Sequence, residues 1–265
     1  MPTLTAAPAI CYINRASGKT ITATTAASGY AASNLNNARM SSSWRSTALT
    51  AQRLVADLTS ATDIDVIALL GFNGEDDATL TAKTSENSDL SSHEYSSGSV
   101  NAFDTTYTAK LSDTPVYGRH TITFPGTTQN SRYVGYDTLN DSGNPDTYLQ
   151  GRVLWAGPVW QPPYGMAYES EMLEEMVGNP GAERYLRIWK LTLKGLTEAQ
   201  SRELLSILRN KLRSGRYLIV PRPTLTATFV NEAIYATLAE PAKRRAMPTK
   251  TVTWSVDVAF REVED

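Results

Sequence analysis

Few side chains in this chain can carry chemistry. The 265 residues hold two histidines, His93 and His120, and one cysteine, Cys11. His93 lies in the polar run Ser91-Ser92-His93-Glu94-Tyr95 and His120 opens an apolar stretch. They are isolated from each other, so the first reads as a solvated loop histidine and the second as a structural or surface one. The many serines meet no G-x-S-x-G elbow, which leaves a Ser-His-Asp arrangement without support. Cys11 sits in Ala9-Ile10-Cys11-Tyr12-Ile13, the surroundings of a small buried hydrophobe and not of a thiolate nucleophile. One cysteine also excludes an intrachain disulfide and a cysteine-rich metal centre. The segment Asp137 to Asp146 (Asp137-Thr138-Leu139-Asn140-Asp141-Ser142-Gly143-Asn144-Pro145-Asp146) has the oxygen ligands that calcium prefers. Its glycine is misplaced for an EF-hand loop, and Asn, Gly, Pro and Asp are what tight turns select, so a turn is the leading expectation. No P-loop or Gly-x-Gly-x-x-Gly occurs. Lys243-Arg244-Arg245 is a short basic cluster suited to a solvated loop or an acidic neighbour. No catalytic, cofactor-binding or metal-binding residue is therefore assigned, no cofactor is expected, and a carboxylate pair of the glycoside-hydrolase kind remains the one open enzyme chemistry, with no pair standing out.

Around these residues the composition is that of a β protein. A formal net charge of −2 gives no electrostatic case for nucleic acid. No apolar run approaches the ~18 residues of a spanning helix, and Met1 to Pro8 lacks the pattern of a secretory leader. Thirteen tyrosines and five tryptophans against five phenylalanines favour surfaces where one end of a ring is apolar and the other wet. Composition changes near Pro162. The residues before it carry a net −4 and are rich in Thr, Ser, Asn and Gly; those after it carry +2 and a higher density of charge. Between them, Gly157-Pro158-Val159-Trp160-Gln161-Pro162-Pro163-Tyr164-Gly165 is a linker that cannot continue regular structure. Two domains follow, 1–162 and 163–265.

The first reads as short strands: Leu54–Leu58, a central strand Asp63–Phe72 with apolar residues on both faces, an edge or surface strand Thr79–Thr84, a long polar loop over 85–106, then strands at His120–Phe124, Arg132–Tyr136 and Tyr148–Trp155. This is an all-β sandwich or jelly roll. The second is an α+β module with one main helix. Strand Tyr185–Leu193 precedes a capping box, Thr197-Glu198-Ala199-Gln200, and a helix to about Arg213 with Leu204, Leu205, Ile207, Leu208 and Leu212 as its buried stripe. Arg209, Lys211 and Arg213 complement its C-terminal dipole. Strands at Arg216–Val220, Ala227–Val230, Ala233–Leu238 and Thr251–Glu264 complete it. The segment Tyr168-Glu169-Ser170-Glu171-Met172-Leu173-Glu174-Glu175-Met176 closes no core alone and is expected as an arm, extended or helical, laid on a neighbouring subunit.

Ala27-Ser28-Gly29-Tyr30-Ala31-Ala32-Ser33-Asn34-Leu35, Ser43-Trp44-Arg45-Ser46, Gln52 to Leu58, Ile64 to Asn73 and Ser131-Arg132-Tyr133-Val134 together resemble the discoidin-type, galactose-binding-like jelly roll over roughly 27–155. The resemblance implies a core role for Trp44 and a loop-ordering role for Asp57, and transfers no ligand contact. The whole layout, from Gly151 to Pro162 through Trp189–Glu198 and its helix to Phe260-Arg261-Glu262-Val263-Glu264, resembles minor tail proteins of long-tailed non-contractile bacteriophages, of the distal-tail or baseplate kind. The order of domains departs from many of them, since the helix-containing module comes last.

That resemblance implies a structural virion component at the tail tip, assembled in the bacterial host cytoplasm. It would form a homo-oligomeric ring, a hexamer or else a trimer. It would touch the tail tube and tail-tip or hub proteins, with a host surface saccharide as a further partner, and have no nucleic-acid specificity and no membrane span. The alternative is a carbohydrate-binding protein with an accessory domain.

Overall fold

A computed structural model describes residues 7–103, 119–163, 167–177, 184–209, 215–221, 233–247 and 253–263. The fold is mainly β, with antiparallel sheets and, among the described residues, one α-helix. Strands β2 (Thr20–Ala23), β4 (Gln52–Ile64), β10 (Gln129–Asn140), β6 (Thr79–Ser85) and β7 (His93–Ser96) lie side by side in that order, and β8 (Val100–Asn101) adds to β6. Strands β12 (Val153–Gly157), β5 (Val66–Leu70) and β9 (His120–Thr123) form a second sheet, and β3 (Trp44–Arg45) pairs with β11 (Gln150–Gly151). The chain crosses repeatedly between the first two sheets, from β4 to β5, β8 to β9 and β10 to β12. That is the expected jelly-roll sandwich.

A third sheet runs β13 (Val159–Trp160), β1 (Ala9–Cys11), β16 (Tyr217–Val220), β17 (Ile234–Met247), β18 (Thr253–Glu262), β15 (Arg184–Leu196) and β14 (Ala167–Val177). Helix α1 (Glu198–Arg209) covers one face. Period-two alternation sorts side chains between layers. On β5, Ile67 and Leu69 enter the sandwich core with Trp44, Leu54 and Tyr136, whereas Val66, Ala68 and Leu70 meet Cys11, Leu218, Val220 and Tyr235 of the third sheet. On β1 and β16, Ile10, Tyr217 and Ile219 turn to the helix side, joining Leu204, Leu205 and Leu208. The molecule is thus four layers: outer sheet, β12-β5-β9 sheet, seven-stranded sheet and helix. All five β5 side chains are fully buried. Each large aliphatic one is worth roughly 1.5–3 kcal/mol of transfer free energy as an upper estimate.

Several sequence expectations change. Asp63–Phe72 is two strands in two sheets. Asp65 breaks it: its Oδ1 accepts Thr128 Oγ1 at 2.5 Å, its Oδ2 accepts the Val159 amide at 3.1 Å, and its own amide donates to Gly157 O. Strand β6 is internal, because the supposed loop 85–103 returns as β7 and β8 on its free side and buries Leu90, Ala102 and Phe103. The linker contains β13, which pairs with β1 through Ile10↔Trp160 and Cys11↔Val159. β1 also pairs with β16, so residues from the first few turns of the chain lie inside the sheet built by its last third. The segment 168–176 is extended and zippered to its own β15 from 167 to 177. The capping box forms as expected: Thr197 N donates to Gln200 Oε1 at 2.9 Å, and Gln200 N to Thr197 Oγ1 at 3.3 Å. The expected strand Ala227–Val230 and the end of the helix, with Lys211, Leu212 and Arg213, lie outside the described residues.

The buried edge of β12 is closed by one side chain. Asn14 Nδ2 donates to Leu154 O at 2.9 Å and Asn14 Oδ1 accepts Ala156 N at 3.2 Å, while Arg15 N donates to Ala156 O. This brings the backbone so close that a Cβ on Gly157 would stand 2.1 Å from Ile13 O. His120 is buried in the same region, with Nδ1 3.4 Å from the Gly71 amide and Nε2 without a hydrogen-bond partner. Burial, and after it the Arg187 charge, push its pKa down to about 4.

Two outcomes follow from this region. Gly157→Ala should lower the denaturant midpoint by an amount worth about 1–3 kcal/mol at unchanged m, read by urea titration, because a backbone oxygen cannot yield as a side chain can. His120 binds its proton less readily folded than unfolded, where the pKa is about 6.5. Stability should therefore be full above that value, decline as pH falls toward about 4 and level off below, by about 3 kcal/mol in total. His120→Gln should flatten that part of the stability–pH curve, and a curve of unchanged shape would refute the assignment.

Candidate functional site

The short β3–β11 pair stands at one end of the sandwich and sets Arg45 opposite Gln150. Trp44 of β3 points inward, fully buried, with Nε1 donating to Thr25 O at 2.9 Å, which is the core role its resemblance implied. The next residue, by strand alternation, points out. The Arg45 guanidinium carbon lies 4.1 Å from the Tyr30 ring centroid and 4.5 Å from that of Tyr148, within reach of cation–π attraction to both. Arg45 Nε donates to Gln150 Oε1 at 2.9 Å. Its Nη groups and the two tyrosine hydroxyls have no protein partner among the described residues, so the cluster presents fixed donors beside aromatic rings.

Asn73, at the turn after β5, ties this cluster to the loop before β11. Its Oδ1 accepts Gln150 N at 2.6 Å, and its Nδ2 donates to Asp146 Oδ2 at 2.9 Å and to Tyr148 O at 3.0 Å. Asn144 Nδ2 donates to Asn73 O and to Asp141 Oδ2, and Asp141 Oδ2 also accepts Glu75 N. The loop is therefore a hydrogen-bonded turn with Asp146 exposed at its rim. Arg152 adds positive charge here: burial, then the neighbouring Arg45, press its pKa below the usual range, and Arg152 Nη1 donates to Met40 O.

The possible calcium ligands do not converge. Asp137 lies in β10 and pairs with Arg53 at 2.7 Å and Lys83 at 2.8 Å. Its burial opposes ionisation, but these two cations outweigh it and hold the carboxyl below the usual range. Asp141 faces inward, with one oxygen committed and Oδ1 without a partner. No group of three or more His, Cys, Asp or Glu placed to hold a metal occurs among the described residues. Cys11 is buried, and desolvation, then the Asp65 charge, drive its thiol far above the usual range, which keeps it a packing residue. His93 is exposed, on strand β7 and not in a loop, far from His120 in the fold's other sheet. Asp57 takes Arg132 through two bonds of 2.9 Å and accepts Thr59 N at 2.8 Å; both partners lie in strands, at the irregularity between β4 and β10, and not in the loop that the resemblance implied. Among the described residues no helix is long and apolar enough to cross a membrane.

The Tyr30–Arg45–Tyr148 cluster escaped the sequence reading. Its members are 15 to 118 positions apart, brought together by the β3–β11 pairing and by the Arg45 amide, which donates to Tyr30 O at 3.3 Å. The tyrosine surplus was the one signal pointing that way.

No protein-family model and no curated protein matches the chain. Among solved structures, chitosan-binding module 1 of a Paenibacillus sp. IK-5 chitosanase/glucanase is 14% identical, covering 56% of this chain and 100% of the module at a TM-score of 0.40. The lectin domain of lectinolysin complexed with Lewis B antigen is 16% identical over 55% of this chain and 96% of that one, at 0.39. A Streptococcus pneumoniae fucose binding module is 11% identical over 55% and 94%, at 0.38. No residue role passes from them at such identities.

Proposed function

We propose that this chain is a non-catalytic saccharide-binding protein whose sandwich end holds the ligand and whose helix-bearing sheet serves assembly. The observation that carries the reading is the Arg45 guanidinium fixed between Tyr30 and Tyr148 with its Nη donors uncommitted. A sugar needs that mixture: ring faces for its C–H groups, and donors and acceptors fixed before binding for its hydroxyls. Asp146 Oδ1 supplies an acceptor at the rim. The named modules of similar fold take chitosan, Lewis B antigen and fucose, each on its own account.

A second reading, a structural component of a bacteriophage tail tip or baseplate, is favoured by the edge of the seven-stranded sheet. Among the described residues strand β14, eleven residues long, ends the sheet with one side unpaired, and its Tyr168, Met172 and Met176 are 39%, 37% and 61% exposed. An edge of that length with apolar side chains is a template for another chain. Its glutamates are largely matched at home, Glu169 with Lys194, Glu175 with Arg261 at 2.9 Å and Glu171 with Lys190 at 4.0 Å, so the apolar residues are what remains to be covered. In this reading the chain forms a ring of six, or else three, between tail tube and hub, in the virion, and the sandwich faces host saccharide. Ring closure requires head-to-tail contacts, and an exposed edge in each copy provides one side of them.

On a glycan array the full chain should bind a restricted set of saccharides, and Arg45→Gln and Tyr148→Ala should each weaken the best of these about tenfold by calorimetry. An array without hits, or variants that bind as the parent does, would reject the sandwich-end site. Native mass spectrometry tests the second reading separately: it expects hexamers or trimers, and a chain that stays monomeric at micromolar concentration would sink it.

A further inference from the structure

The helix side of the seven-stranded sheet ends in a pocket that neither reading uses. Register across the sheet sets Tyr168, Leu193, Val256 and Arg244 in one row on strands β14, β15, β18 and β17. The row is apolar until Arg244, which β17 carries past the bulge at Pro241, where the strand no longer has β16 beside it. There the Arg244 guanidinium lies over the Trp254 ring, 3.4 Å from its centroid. Its Nε and Nη2 are shut from water without a hydrogen-bond acceptor. Across from it, α1 presents Arg202 and Arg209 two turns apart, with Leu205 and Ser206 between. These five residues enclose an open pocket of about 480 Å³.

One carboxylate serves the three guanidiniums. Glu198 Oε1 accepts Arg202 Nη2 at 2.6 Å and lies 3.9 Å from Arg244 Nη2. Arg209 has no ion pair among the described residues. The pocket keeps a formal charge of +2 after Glu198 is counted.

We propose that this pocket binds a doubly charged oxyanionic group, a phosphate or phosphate monoester, held by Arg202, Arg209 and Arg244. The guanidinium forks of Arg202 and Arg209 match such oxygens two at a time, Arg244 adds its charge beside them, and arginine is weakly hydrated enough to surrender water for them. Arg244 is already oriented by Trp254, so little rotamer freedom is lost on binding. A phosphate monoester brings about −1.5 to −2 at pH 7, close to the uncompensated charge. Leu205 gives the pocket one apolar wall, which suits an ester whose organic part lies against it.

Calorimetry on the full chain, with inorganic phosphate and phenyl phosphate as probes and ionic strength held constant with sodium chloride, tests this. One site per chain should saturate with either probe, and Arg209→Gln, an exposed change that leaves the fold intact by circular dichroism, should weaken it about tenfold. Arg244→Gln should do the same. Tighter binding of phenyl phosphate identifies an esterified ligand, and tighter binding of inorganic phosphate a free ion. Heats that never saturate, or binding equal in the parent and both variants, would overturn the proposal. The sandwich-end variant Arg45→Gln should bind phosphate as the parent does, so this site and the saccharide site fail or succeed independently.

Discussion

Everything else in the molecule leans on a three-stranded sheet buried on both faces. The β12-β5-β9 sheet has no side that meets water, so its strands carry apolar residues at successive positions, and its backbone can satisfy hydrogen bonds only within protein. Neighbouring strands settle the interior of that account, and Asn14 settles the edge, acting as a one-residue strand along β12. A leucine or valine there is matched to two layers at once. A shift of register by one residue would exchange the groups facing the outer sheet with those facing the seven-stranded sheet.

This arrangement explains why the two candidate sites are so separate. The Tyr30–Arg45–Tyr148 cluster sits where the sandwich strands turn, on short β3 and β11, outside the doubly buried sheet. The arginine pocket sits between the helix and the end of β17, on the helix side of the seven-stranded sheet. Between them lie continuous apolar layers whose polar groups are mostly spoken for. Sites at opposite extremes of such a block can serve different ligands without sharing residues, and the rigid middle holds each in fixed geometry.

Legibility in the sequence followed the range of the interactions. Local signals are legible: the Thr197–Gln200 capping box, the alternation of β18 and the burial of Cys11. Long-range pairing was not readable. Asp63–Phe72 reads as one strand because both halves are apolar, and the bend at Asp65 depends on partners 63 and 94 positions away. The polar loop after Ser85 becomes strands because β6 has a free edge, a fact about another segment. The linker at Pro158 does break the chain's direction, yet Val159-Trp160 still finds β1. Nothing beside Arg45 in the sequence marks it out, because its aromatic partners come from the loops before β3 and β11.

The pairing of β1 with β16 has a consequence for how the chain comes to be folded. Residues 9–11 take their place beside residues 218–220, so more than two hundred positions separate partners in adjacent strands. On the ribosome the first strand emerges long before the last third exists. Until then the face of β5 that carries Val66, Ala68 and Leu70 lacks the cover of Leu218, Val220 and Tyr235. Contacts of such separation are slow to close and leave strand edges open in the interval. The half-made chain is thus a sticky object, and the moment of greatest hazard in its life is the wait for its own C-terminal strands.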